Sequence, residues 1–497
     1  MSRINTNVQS LVARRALSVN NASLNEALVR LSTGLRINSG RDDPAGLIAS
    51  ETLRASIRAI DTSIDNANRA DTIVAVAEGG LQEISSLLLE LESLVDATAN
   101  EAGLTAAEIK ANQSQIDNIL ISINRLAEAT AFGDKKLLNG NLNFTTSGVT
   151  ASQVDRVQIN SAKIPNGASR QVNVTVQTKS EVALLSAVGA GTDSSGTLNG
   201  TLNGATTFQV RGVHGSDILS FASGATTAQI ATAINASKAL TGVSATASAG
   251  TGGGAAFLNL QSTDYGADAF VSLSVINNLS GFSSIDDPGL TSGALATETK
   301  TTGVEGTIVV NGSSGIVKGK EVSVRSGALS LDMTLNTTVI GVTNATTSFD
   351  ITGGGARFSI SPTVGLAGLE AIGIGEVSTA KLGDSGNGFL ASLESGKTND
   401  LTSKNFTVAQ RVVRSAIDQV ASLRGRLGGF QKNTLRTTIN SLKVSLENVS
   451  AAESAIRDAD FAEETSSLTR AQILVNSSTS TLQLANAQPQ NVLALLG

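Results

Sequence analysis

Apolar residues near the start of the chain recur at alternating intervals of three and four: Ile4, Val8 and Leu11, then Leu24, Leu28, Leu31 and Leu35. This spacing runs one narrow stripe along a helix, the a/d seam of a coiled coil. Gly34 and Gly40 interrupt it. It restarts with Leu53, Ile57, Ile60 and Ile64 and continues through Val74, Ala77, Leu81, Ile84, Leu88, Leu91 and Val95 to a break around Gly103. A third helix is predicted from Ile109, Ile116, Ile123 and Leu126, stopping before Gly133. The other end repeats the rhythm with Val413, Ile417, Val420 and Leu427, then Ile439, Leu442, Leu446, Val449 and Ile456. A narrow stripe on each of several long helices cannot close a core alone, so the N-terminal helices are expected to pack on the C-terminal ones. The two chain ends then meet, and the middle protrudes.

In that middle the period changes. Leu329, Leu331, Met333 and Leu335 alternate with polar residues, as do Phe208 with Val210 and Leu258 with Leu260. Alternation at period two predicts half-buried strands. Gly, Ser and Thr crowd residues from about 165 to 352, as turns between short strands would. Ile230 and Ile234 break the β pattern with helical spacing, and Thr226 or Thr227 can cap them, which predicts a strand, helix, strand unit near 206–262.

Length and composition then narrow the function. The 497 residues suggest two to four domains. Aromatic residues make up 3%, so the cores rest on Leu, Ile, Val and Ala. With no Cys there are no disulfides, thiolate sites or cysteine nucleophiles, and with His214 as the sole histidine there is no HExxH site or Ser-His-Asp triad. The 36 basic residues against 42 acidic give net −6, leaving no electrostatic footprint for nucleic acid. Residues 1–12 carry Asn5, Asn7 and Gln9 where a secretory signal needs an apolar core, and no run of about 18 apolar residues occurs. Export without cleavage and no membrane insertion are the expectations.

The motifs with chemical potential mostly have structural readings. Asp43 before Pro44 marks a helix start, because a carboxylate accepts from free N–H groups and proline suits the first helical position. A paired-carboxylate acid/base or cation site there lacks further ligands. Asp458, Asp460, Glu463 and Glu464 read as a solvated helix face or one half of intersubunit ion pairs. Gly252–Gly254 and Gly353–Gly355 make no phosphate-cradling motif and read as turns, while His214, between Gly212 and Gly215, lacks companion ligands.

Several stretches resemble one family. Leu31-Ser-Thr-Gly-Leu-Arg-Ile-Asn-Ser-Gly-Arg-Asp-Asp-Pro-Ala-Gly-Leu47 is similar to the N-terminal signature of bacterial flagellins, and Asn66–Leu88 to the helix that follows. Ala129–Gly140 resembles the family's entry into its first hairpin, with Gly133-Asp134 where Asn-Gly is usual. At the other end Ile456–Glu464, Ser467–Leu474 and Pro489–Leu496 resemble the flagellin C-terminal helix. The likeness covers about 1–164 and 353–497, and residues 206–275 resemble the IN-type module.

The resemblance implies an α plus β multidomain subunit with terminal coiled-coil helical layers made by both chain ends. The expected divisions are 1–42 with 456–497 as the innermost helical domain, 43–164 with 353–455 as a helical bundle with short β segments, and 165–352 as an outer β-rich domain. It implies a structural subunit that self-assembles into the flagellar filament for swimming motility, is exported unfolded by the flagellar type III system, and is located outside the cell in the flagellum. Expected partners are other copies of itself, the export apparatus, a flagellin chaperone, and hook–filament junction and cap proteins. No nucleic acid, cofactor, metal or catalytic residue is expected. Leu24, Leu28, Leu31 and Leu35 with Ala471, Ile473, Leu474, Leu482 and Leu496 are the expected inner-layer polymerisation residues. Flagellins seen by the Toll-like receptor for flagellin resemble one another at an Arg-Val-Arg-Glu-Leu segment. Here that place reads Glu90-Leu91-Glu92-Ser93-Leu94, which implies weak recognition. A hook–filament junction protein is the near rival, and a stalked β-rich adhesin or an enzyme inserted in the middle are the distant ones.

Overall fold

A computed structural model describes residues 6–100, 103–165, 168–189, 201–248, 257–277, 282–286, 298–384 and 386–496. The helices are α1 (Val8–Thr33), α2 (Pro44–Thr98), α3 (Ala106–Ala129), α4 (Thr227–Ala236), α5 (Lys238–Thr241), α6 (Thr337–Ile340), α7 (Phe406–Gly429), α8 (Arg436–Arg457) and α9 (Phe461–Leu496). The chain divides into two compact units: Met1–Thr72 with Ser359–Gly368 and Gln431–Gly497, and Ile73–Phe358 with Leu369–Phe430.

In the first unit α1 and α9 run antiparallel. Asn7 Nδ2 donates to the Ala485 carbonyl at 2.8 Å, Asn20 Nδ2 to Ser478 Oγ at 2.6 Å, and Arg30 Nη1 to Glu464 Oε1 at 3.1 Å. Gly34 takes φ 69° to end α1, a left-handed conformation that costs glycine no Cβ clash. Beyond it, Arg36 N donates to the Arg457 carbonyl at 2.7 Å and Ala459 N to the Gly34 carbonyl at 3.0 Å, so a short antiparallel bridge ties the connectors of both chain ends together. α8 runs antiparallel to the first half of α2, pinned by Arg457 to Glu51 at 3.3 Å and by Gln431 Nε2 to the Asp71 carbonyl at 3.2 Å.

The second unit holds three cores. The helical one joins Val74–Val95 of α2, Ile116–Ala127 of α3 and Ala409–Leu427 of α7, with Leu390, Leu393 and Leu401 closing one side. Thr105 and Glu108 form a capping box on α3, each side chain accepting from the other residue's backbone N–H. Ala131–Phe132 pairs with Lys135–Lys136 across a two-residue turn in which Gly133 has φ 60°. With the left-handed residue first, Gly-Asp forms the II′ hairpin turn where Asn-Gly would form I′. A π-helical segment, Phe430–Leu435, follows α7, so the helical backbone does not break at Gly428-Gly429.

The second core lies in an eight-stranded antiparallel sheet of order 144–147, 346–354, 170–178, 307–310, 313–318, 321–325, 329–335 and 154–162. Leu329, Leu331, Met333 and Leu335 all point into it, as their alternation predicts. Asn311 (φ 47°) and Gly312 (φ 83°) supply the I′ turn between two of its strands. The third core sits between two four-stranded sheets and α4, around Phe208, Val210, Ile230, Ile234, Leu258 and Leu260. Thr226 caps α4 through a capping box with Gln229.

Two sequence expectations change here. The β-rich stretch expected at 165–352 contributes to two cores, and the sheet core draws in Phe144, Val154, Ile159 and Ala162 from one side and Ala371 from the other. Gly353 and Gly354 finish a strand, pairing with Thr145 and Phe144 beyond a bulge, rather than forming a free turn. Gly252–Gly254 lie outside the described residues.

Candidate assembly surface on the terminal helices

The seam between α1 and α9 is made of residues buried or half-buried at strict heptad spacing. On α1 these are Ser10, Ala13, Leu17, Asn20, Leu24, Ala27 and Leu31, and on α9 Glu464, Leu468, Ala471, Val475, Ser478, Leu482 and Ala485. Of the expected polymerisation residues, Leu24, Leu31, Leu482 and Ala471 fall in this intrachain seam, and Leu35 is half-buried in the connector bridge. Leu28 does not belong to the seam. Ala27 takes its place, and Leu28 is 44% exposed. Ile473 and Leu474 are 63% and 45% exposed, and the side chain of Leu496 lies outside the described residues. Sequence reasoning weighted the large aliphatic residues and passed over alanine. The signal for the true register is the three-four spacing of Ala13, Leu17, Asn20, Leu24, Ala27 and Leu31 itself.

The alanines let two helices approach closely while contributing little apolar area, and several larger residues stay outside the seam. Val8, Leu11, Val12, Val19 and Val29 are exposed on α1, as are Ile473 and Leu484 on α9. At 3.6 residues per turn these positions lie across each helix from its seam. Each terminal helix therefore carries a second apolar face that nothing in this chain covers among the described residues.

Polar groups fix how the surface is presented. Asp43 Oδ1 accepts from Gly46 N at 2.9 Å and Pro44 opens α2. Backbone N–H groups of Ser39 and Asn38 hold the exposed Asp42 carboxyl below its ordinary pKa. The acidic cluster is divided among local tasks: Asp460 Oδ1 accepts from Ala462 N and Glu463 N at the start of α9, Asp458 accepts from Ser454 Oγ, and Glu464 pairs with Arg30. Glu464 is thus engaged within its own chain, not held free for an intersubunit pair. Among the described residues no cluster of His, Asp and Glu could hold a metal ion.

The Glu90–Leu94 segment lies on α2. Glu92 Oε1 accepts from Arg414 Nε at 2.8 Å, and this bond raises the arginine's pKa. Glu90 Oε1 accepts from Gln115 Nε2 at 3.2 Å. Leu94 packs against the helical core, and Leu89, 55% exposed, is the outward apolar residue beside it.

Helical chain ends folded on each other, with β-rich cores formed by the residues between them and no metal cluster among the described residues, define a chain of structural rather than catalytic class. Comparison with known proteins makes this specific. The bacterial flagellin N-terminal helical region matches residues 4–143, the C-terminal helical region matches 411–496, and the flagellin hook IN motif matches 207–264. The chain belongs to the flagellin family, the structural proteins of the flagellar filament. It is 28% identical to a flagellin of Salmonella rubislaw over 512 residues and 27% identical to flagellin B of Helicobacter pylori over 524, each alignment covering 99% of both chains. Among solved structures it is similar to the flagellar hook associated protein-3 of Legionella pneumophila at 12% identity and a TM-score of 0.30, covering 81% of this chain and 97% of that one.

Proposed function

We propose that the protein polymerises with copies of itself into the flagellar filament through the outer apolar faces of α1 and α9, and that it serves swimming motility outside the cell without catalysing a reaction. The observation that carries this reading is the second apolar face, exposed at Leu11, Val19, Val29, Ile473 and Leu484 although α1 and α9 already share a seam. In the filament, residues 1–42 with 456–497 form the innermost layer, 43–164 with 353–455 the next, and the β-rich middle the outside. Leu24, Leu31 and Leu482 hold α1 to α9, while Leu28, Ile473, Leu474 and the C-terminal Leu496 meet neighbouring subunits.

Export proceeds with the chain unfolded through the flagellar type III system. The seam between α1 and α9 is rich in alanine, serine and asparagine, so it offers little burial to offset ordering roughly 1–2 kcal/mol of backbone entropy per residue. The terminal helices are disordered in the free subunit and order on assembly. The export apparatus, a chaperone and the junction and cap proteins are its partners on that route. Limited proteolysis tests the reading: both ends of the free subunit are trimmed while the filament is spared. Equal protection in both states would overturn it. Growth of long filaments from this subunit alone separates it from a hook–filament junction protein.

A further inference from the structure

We propose that Asn235 guards a sheet edge: its carboxamide stands in for a neighbouring strand along Val243–Ser248 and so prevents that strand from pairing with its equivalent in a second copy of the chain. Val243–Ser248 is the end strand of a four-stranded sheet. On one side it pairs antiparallel with Phe257–Tyr265 in an unbroken register, from Val243 opposite Ser262 to Ser248 opposite Phe257. Residues of an antiparallel ladder alternate between bonding that neighbour and turning both backbone groups away from it. Ala245 turns away. Its N–H donates to Asn235 Oδ1 at 2.9 Å, and its carbonyl accepts from Asn235 Nδ2 at 2.8 Å. Two residues earlier, Val243 N donates to Thr241 Oγ1 at 3.2 Å.

The two bonds to Asn235 supply what a strand would supply there, because a carboxamide carries N–H donors and a carbonyl acceptor side by side, as a pair of strand backbones does. The helix aims it. Ile230 and Ile234 of α4 are fully buried in the core between the two four-stranded sheets, and Asn235, about 100° further round the helix, lies at the exposed rim. Ile234 thus anchors α4 on the core while Asn235 closes the edge beside it. The strand has no other means of staying unpaired. Val-Ser-Ala-Thr-Ala-Ser holds no charge and no proline, and its register with Phe257–Tyr265 contains no bulge, so the usual devices that blunt an edge are missing from it. Without the carboxamide, Ala245 presents a donor and an acceptor on a regular, uncharged strand. The same strand in another copy matches it, since two identical strands laid antiparallel are self-complementary.

The chain has no cysteine, so one introduced thiol reports on this edge alone. Thr246 is exposed beside Ala245. Full-length Thr246→Cys is compared with Thr246→Cys/Asn235→Leu under a copper–phenanthroline oxidant, reading the disulfide between copies on non-reducing gels and deuterium exchange over residues 243–248 by mass spectrometry. Removing Asn235 should speed crosslinking roughly tenfold, the worth of about two hydrogen bonds, and speed exchange of the Ala245 amide about 2- to 10-fold. Thr246→Cys/Ile234→Val loosens the packing of α4 but keeps the carboxamide, and should crosslink like Thr246→Cys. Equal crosslinking with and without Asn235, or an equal rise in the Ile234→Val variant, overturns the proposal. If Asn235→Leu fails to fold, Asn235→Asp takes its place: it keeps an acceptor for the Ala245 N–H but has no donor for the carbonyl, and it too must crosslink faster than Thr246→Cys alone.

Discussion

Ile473→Ser separates association from folding. Ile473 sits on α9 across from the seam and is 63% exposed, so the subunit itself gains little from it. Fully burying such a side chain is worth about 1.5–3 kcal/mol, and the part still exposed accounts for about 1–2 kcal/mol of that when a neighbour covers it. At 1.4 kcal/mol per factor of ten, the substitution should raise the critical concentration for polymerisation by roughly 5- to 30-fold. The melting temperature of the free subunit should not move. Leu88→Ala provides the contrast. Leu88 is 0% exposed in the helical core, and its truncation costs about 2–5 kcal/mol of subunit stability. Sedimentation of filaments at graded concentration reads the first effect, and thermal unfolding of the monomer reads the second. Filaments of Ile473→Ser at the wild-type critical concentration, or a monomer as weakened as Leu88→Ala, would refute the assignment of this face to assembly.

Further expectations rest on other elements. Gln113 is buried, accepting from Leu401 N at 2.8 Å and donating to the Leu393 carbonyl at 2.8 Å, so Gln113→Leu orphans two buried backbone groups and should lower stability by about 2–4 kcal/mol in urea unfolding. Burial pushes the Asp332 and Asp384 carboxyls up, but hydrogen bonds from Asn160, Ser323 and Arg325 to the first, and from Asn387 and Gly386 to the second, hold both below the ordinary range. Their contribution is complete above the unfolded-state value near 4 and is lost as pH falls through the folded values, so the urea midpoint should drop between pH 5 and pH 3; a flat midpoint would count against it. Glu181 and Val304 exchange both backbone hydrogen bonds, at 2.9 and 3.1 Å, so replacing Val182–Gly303 by a short Gly-Ser link should leave a subunit that still folds and polymerises, as electron microscopy would show. Receptor activation should be weak in wild type and rise in Glu90→Arg/Glu92→Arg; wild-type signalling equal to that of a receptor-active flagellin contradicts this.

The helices were legible because large aliphatic residues repeat at helical spacing through α2, α3 and α7, where the same residues are buried. The α1 seam was legible only in part: Leu24 and Leu31 belong to it, but its fully buried positions are Ala13 and Ala27, while Leu11, Leu28 and the valines, which attract notice, are exposed. Residues Val154–Ala162 escaped the β domain for a different reason. Bulges opposite Ser330/Leu331 and Thr334/Leu335 break the strand's alternation, so period two never develops there. The π-helical segment hid similarly, since a glycine pair reads as a stop, whereas the backbone stays helical through Phe430–Leu435.

The hydrogen bond from Asn7 to Ala485 spans 478 positions of sequence, and Arg36 reaches Ile456 across 420. Closing a loop of that length costs about 5 kcal/mol before any contact repays it. During synthesis α1 has no mate until α9 has left the ribosome, so the contacts between these two helices are among the last that can form. A helix whose partner is made so late spends most of the chain's synthesis unpaired.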